Sequence, residues 1–108
     1  MGGRSEASMD EQGVKDALQY AVVEHNKERN DLYISQVAKV VKVEKQVVAG
    51  IKYYFTVEMA RTSCRKGGVE KLCAVHDDPE IAAPYECTFD VWSQPWIHSI
   101  VVTKGCNH

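Results

Sequence analysis

The stretch Gln46-Val47-Val48-Ala49-Gly50-Ile51-Lys52-Tyr53-Tyr54-Phe55-Thr56-Val57-Glu58-Met59 decides the fold. After Gly50, the residues Ile51, Tyr53, Phe55, Val57 and Met59 alternate with Lys52, Tyr54, Thr56 and Glu58. That two-residue period predicts a strand with one face on a core, placing Tyr53 inward and Tyr54 outward. Before Gln46, the residues Val37, Val40, Val41 and Val43 form a β-branched run whose alternation is imperfect. Two strands joined at Val47 to Gly50 make a first hairpin over 32–64. Cys87 to Trp92 and Ile97 to Thr103 make a second over 86–106, turning at Pro95-Trp96.

Upstream the period changes. Val14, Ala17, Leu18, Ala21, Val22 and His25 recur at helical spacing and form one stripe, which predicts a helix over 10–29. Asp10 and Glu11 lie where the positive end of the helix dipole favours carboxylates, and Lys27 and Arg29 where its negative end favours cations. Asn30-Asp31 ends the helix. Residues 1–9 are polar and glycine-containing, and are expected to form a mobile arm. The segment 65–84 holds Gly67, Gly68, Pro79 and Pro84 and reads as an irregular loop. One helix followed by four or five antiparallel strands argues an α+β fold, with the helix across one sheet face.

The chain has 108 residues, 44% of them apolar and 26% charged, which fits one globular domain, 1–108. A formal charge of −2 gives no electrostatic case for nucleic acid, and no basic run suggests membrane adsorption. No apolar stretch approaches the roughly 18 residues of a membrane-spanning helix. The opening Met1-Gly2-Gly3-Arg4-Ser5 does not read as a secretory leader, and if the protein is secreted the mature form is expected here.

Cys64, Cys73, Cys87 and Cys106 allow three pairings. A hairpin centred near Trp96 sets Cys87 almost opposite Cys106, and Cys64 and Cys73 flank a short loop, so the expected bridges are Cys64–Cys73 and Cys87–Cys106. Such bridges imply an oxidising compartment. The competing use of these cysteines is zinc, with His76 and His108 close to them in sequence, but no C-x-x-C spacing occurs. No metal and no cofactor are expected, and with all four cysteines bridged no thiolate nucleophile remains. His25 reads as packed on the helix stripe, and His76 and His98 as surface residues.

Gln46-Val47-Val48-Ala49-Gly50, Pro95-Trp96, the N-terminal pair Gly2-Gly3, the helix and the cysteine order together resemble a type 2 cystatin over nearly the whole chain. The resemblance implies a long helix wrapped by a curved antiparallel sheet. It also implies a reversible inhibitor of papain-like cysteine proteases such as cathepsins, and not an enzyme. In that family the arm and both hairpin tips form an apolar wedge that fills the protease cleft. Gly2, counted back from Gln12-Gly13-Val14, corresponds to the family's conserved glycine. Gln46, Val47, Val48, Ala49 and Gly50 correspond to its first hairpin, and Pro95 and Trp96 to its second. The chain departs from the pattern in two places: only Met1 precedes Gly2, and Arg4 stands where proline is common. Weaker inhibition of arm-dependent proteases is therefore expected.

Some type 2 cystatins also inhibit legumain through an asparagine after the helix, and Asn30 stands at the matching place, although Asn-Asp is also an ordinary helix-ending turn. Cathelicidin-like precursor domains, the non-inhibitory alternative, share the architecture but usually lack these two loop motifs. Straightening the Val47-to-Gly50 turn would let the helix and first strand exchange between chains, a route from monomer to swapped dimer.

Overall fold

A computed structural model describes residues 3–67 and 73–107. Its elements are β1 (Ser5–Glu6), α1 (Gln12–Glu28), β2 (Tyr33–Val48), β3 (Gly50–Arg65), α2 (Pro79–Ala82), β4 (Tyr85–Gln94), a 3-10 turn (Pro95–Ile97) and β5 (Ser99–Asn107). The five strands form one antiparallel sheet in sequence order, and α1 lies across one face of it.

The helix follows from its stripe. Val14, Ala17, Leu18, Ala21 and Val22 are buried, and they meet Phe55, Val57 and Met59 of β3 and Phe89 and Val91 of β4. Both ends of α1 are tied to β2. At its start, the Glu11 carboxylate accepts from the Ser8 amide at 2.9 Å and from Lys45 Nζ at 2.5 Å. That contact with Lys45, then the Ser8 amide, holds the Glu11 carboxyl below its ordinary pKa, while Glu11 raises Lys45. At its end, the buried Asn26 side chain accepts from the Ser35 amide at 2.8 Å and donates to the Ser35 carbonyl at 3.0 Å, standing in for a neighbouring strand. His25 is 2% exposed, with Nε2 2.9 Å from the Tyr85 hydroxyl and Nδ1 3.2 Å from Lys104 Nζ.

The imperfect alternation of β2 has a structural cause. Its register against β3 shifts between Tyr33 and Ser35, between Val37 and Lys39, and between Val40 and Lys42. Each irregularity bends the strand and increases its twist, which curls the long hairpin around α1. In β3 the alternation is regular: Tyr53, Phe55, Val57 and Met59 are buried, and Tyr54 is turned away from the core.

Two segments differ from expectation. The polar arm is pinned as a short strand: Ser5 and Glu6 pair with Lys45 and Glu44, and the Ala7 amide donates to the Val43 carbonyl at 3.1 Å. The irregular loop is shorter than 65–84. β3 runs on to Arg65, Thr62 bridges to Val75, and α2 forms at Pro79–Ala82, capped by Asp78 Oδ1 accepting from the Glu80 amide at 3.0 Å. Proline at the first helical position and aspartate before it supply that start. The bridges are Cys64–Cys73 and Cys87–Cys106, the second across a directly paired position of β4 and β5.

Asp31 organises the connection from α1 to β2. Its carboxylate accepts from the Tyr33 amide at 3.1 Å and from Arg61 at 2.7 Å, with Arg29 3.9 Å away. Partial burial pushes its pKa up, but the Tyr33 amide, Arg61 and Arg29 outweigh this and hold it below 3.8. A depressed folded pKa contributes stability that is present above the unfolded pKa and lost as pH falls through the folded one. Asp31→Asn should therefore lower the urea midpoint at neutral pH, and the gap from the parent should narrow as pH falls through the unfolded and then the folded pKa. Urea unfolding at neutral pH and at successively lower pH checks this.

Candidate functional site

Both hairpins turn at the same end of the sheet. The first closes at the pair Val48 and Gly50, leaving Ala49 outermost. The second closes at Gln94 and Ser99. Across it runs the 3-10 turn, which ends as the His98 amide returns to the Pro95 carbonyl at 3.0 Å with His98 in the left-handed region. Ile51 pairs with Ser93, so the base of the first tip lies directly beside the base of the second. Val47, Trp96 and Ile97 are 62%, 61% and 58% exposed. A groove between the tips is lined by Val47, Val48, Gly50, Ile51, Tyr53, Ser93, Pro95 and Trp96.

Gly50 is required there twice over. Its φ is +94°, a conformation that side chains strongly disfavour, and a Cβ would overlap the Ser93 carbonyl oxygen. The first tip therefore lies backbone-to-backbone against β4.

Gln46 has a different place from its neighbours in the motif. Its Oε1 accepts from the Tyr54 hydroxyl at 2.8 Å, on the sheet face away from α1. The Arg4 guanidinium sits 3.5 Å above the centre of the same Tyr54 ring and 3.7 Å from the Glu44 carboxylate. Arg4 thus lashes the arm to the outer face of the sheet, a cation–π contact that proline could not make. Continuing the β1 register towards the N-terminus brings Gly3 level with Val47. Gly2 lies outside the described residues.

The structure thus gathers Val47, Val48, Ala49, Gly50, Pro95 and Trp96 at one end, with Gln46 bracing from behind and β1 leading the chain from Gly3 along the neighbouring edge. It does not bring Asn30 to them. Asn30 is exposed between α1 and β2, at the opposite end of β2 from Val48, in a molecule 44 Å long. One residue escaped the sequence reading: Trp92, whose indole N–H donates to the Ala49 carbonyl at 2.8 Å. The available signal was a large aromatic side chain on the polar phase of a strand, three residues before Pro95.

Among the described residues, one cluster has metal-ligand types within reach of each other, His25 with Cys87 and Cys106. Both sulfurs are joined in a disulfide, so neither offers a thiolate.

The family profile described as the Cystatin domain matches residues 2–96. The chain belongs to the cystatin family. It is 62% identical over 105 residues to a cystatin of Oncorhynchus keta, covering 97% of this chain and 81% of that one. It is 56% identical over 94 residues to Cystatin-C of Paralichthys olivaceus, covering 85% and 75%. Among solved structures, dimeric human cystatin F superposes with a TM-score of 0.84 at 25% identity, covering 99% of this chain and 87% of that one. Two disulfides fit the type 2 branch and an extracellular protein, and cystatins are protease inhibitors, not enzymes.

Gly50→Ala should lower the unfolding free energy of this cystatin by roughly 1–3 kcal/mol, the usual cost of forcing a side chain into positive φ. Guanidinium unfolding measures it; a variant as stable as the parent would show that the tip relaxes away from Ser93.

Proposed function

We propose that this cystatin is a reversible, tight-binding inhibitor of papain-like cysteine proteases of the cathepsin type, acting in the extracellular space as a secreted monomer. The arm at Gly2 and Gly3, the first tip from Gln46 to Gly50, and Pro95-Trp96 would enter the active-site cleft together. The observation that carries this reading is the pairing of Ile51 with Ser93, which sets two exposed apolar tips side by side on one rigid sheet.

The mechanism is steric exclusion. Two hairpin turns, closed by ladder pairs at Val48–Gly50 and Gln94–Ser99, present tightly curved backbone and no extended peptide bond in an attackable position. Trp96 supplies a large rigid apolar surface, and Pro95 fixes one backbone angle, so little conformational freedom is lost on docking. With no charged residue among Val47, Val48, Ala49, Pro95 and Trp96, binding should change little with salt.

Active-site titration of papain tests this. One mole of oxidised protein should block one mole of enzyme, and release should restore activity. Trp96→Ala should raise the inhibition constant roughly 30-fold or more, as expected for a buried aromatic anchor. A bridged, folded monomer that leaves papain fully active would favour the precursor-domain reading instead.

A second site, for legumain, is favoured by the exposure of Asn30 at the far end of the molecule, where a protease held on the tips would not cover it. Asn30→Lys should abolish legumain inhibition and leave papain titration unchanged. Protein already saturated with papain should still inhibit legumain. If the lysine variant inhibits legumain as well as the parent, Asn30 is only a turn residue.

A further inference from the structure

We infer that Trp92 is a positioning residue for the protease-binding edge: its indole N–H fixes the first hairpin tip relative to the second. The inference rests on the inhibitory reading above for its consequence in binding, and on the geometry of the free protein for its structural part.

Ala49 is the outermost residue of the first hairpin, between the ladder partners Val48 and Gly50. Being the turn residue, it has no opposing strand residue to satisfy its carbonyl. Trp92 reaches across from β4 and donates to that oxygen at 2.8 Å. Trp92 pairs with Lys52 in the sheet, and β4 continues from it through Ser93 and Gln94 into Pro95-Trp96. One side chain therefore connects the crest of one tip to the strand that carries the other.

A second contact explains why a clasp at this point is effective. Gly50 already presses against the Ser93 backbone, so the base of the first tip is fixed on one side. The crest beyond it is exposed at Ala49, and Val47 beside it is 62% exposed. A hydrogen bond at Ala49 holds that crest at a second point, and two points remove the rocking freedom that one would leave. Affinity from a preformed surface depends on such freedom being lost before binding. Trp92 itself belongs to the outward phase of β4, alternating with the buried Phe89 and Val91, so the indole contributes little to the core.

The test compares the parent with Trp92→Phe, which keeps an aromatic ring and removes the donor, and with Trp92→3-benzothienylalanine, which keeps the fused ring and replaces the N–H by sulfur. Backbone 15N order parameters at Val48, Ala49 and Gly50 in the free protein should fall in both variants. The papain inhibition constant should rise about tenfold in both, through faster dissociation, the effect of one hydrogen bond. Unchanged tip order in both would overturn the clasp. Lost order with an unchanged inhibition constant would overturn its role in binding, and order lost in Trp92→Phe but kept in Trp92→3-benzothienylalanine would overturn the hydrogen bond as its cause. If the parent does not inhibit papain, the inhibitory reading fails, and the order parameters still decide whether Trp92 holds the tip.

Discussion

Antiparallel pairing of each strand with the next, in unbroken register from β3 to β5, is the constraint on which the rest of this molecule depends. Each of these strands pairs with the next in sequence, so alternate connections must emerge at the same end. The β2–β3 and β4–β5 turns share one end for that reason, and the β3–β4 excursion with its Cys64–Cys73 bridge occupies the other. A one-residue slip between β3 and β4 would turn Phe55 or Phe89 out of the core, so hydrophobic packing polices the spacing of the tips. The core thereby enforces the geometry of the edge.

Against that frame, the edge itself is assembled from contacts on the outer face of the sheet. Tyr54 binds Gln46 and carries Arg4, and Trp92 meets the Ala49 carbonyl. None of these groups belongs to the core cluster. Stability and presentation thus reside on opposite faces of the same strands: α1 and the inward residues give the sheet its shape, and the outward residues hold the arm and first tip against it.

The sheet, the helix and the two turns were legible in the sequence because burial imposes a period. Ile51 to Met59 alternate without interruption because one face of β3 meets α1 throughout, and Val14 to His25 recur at helical spacing for the same reason. Where contacts were not periodic, the sequence was silent. Ser5-Glu6 is two polar residues long, and its pairing rests on backbone bonds that any side chain permits. The shifts in β2 appear in the sequence only as a disturbed alternation. At the edge, glycine and tryptophan were legible as residue types suited to close approach and apolar contact. That Gln46 faces Tyr54, or that Trp92 reaches Ala49, depends on strand curvature and side-chain direction, which one-dimensional patterns do not encode.

Glu11 grips Lys45 near one end of β2, and Asn26 grips the Ser35 backbone near the other. A helix fastened at both ends to the same strand forms with it a single mechanical piece, braced like a bow by its string. The curved stretch of β2 from Ser35 to Lys45 is thereby spanned by its own neighbour in sequence, so the bend and the helix that fills it are fastened together at both ends.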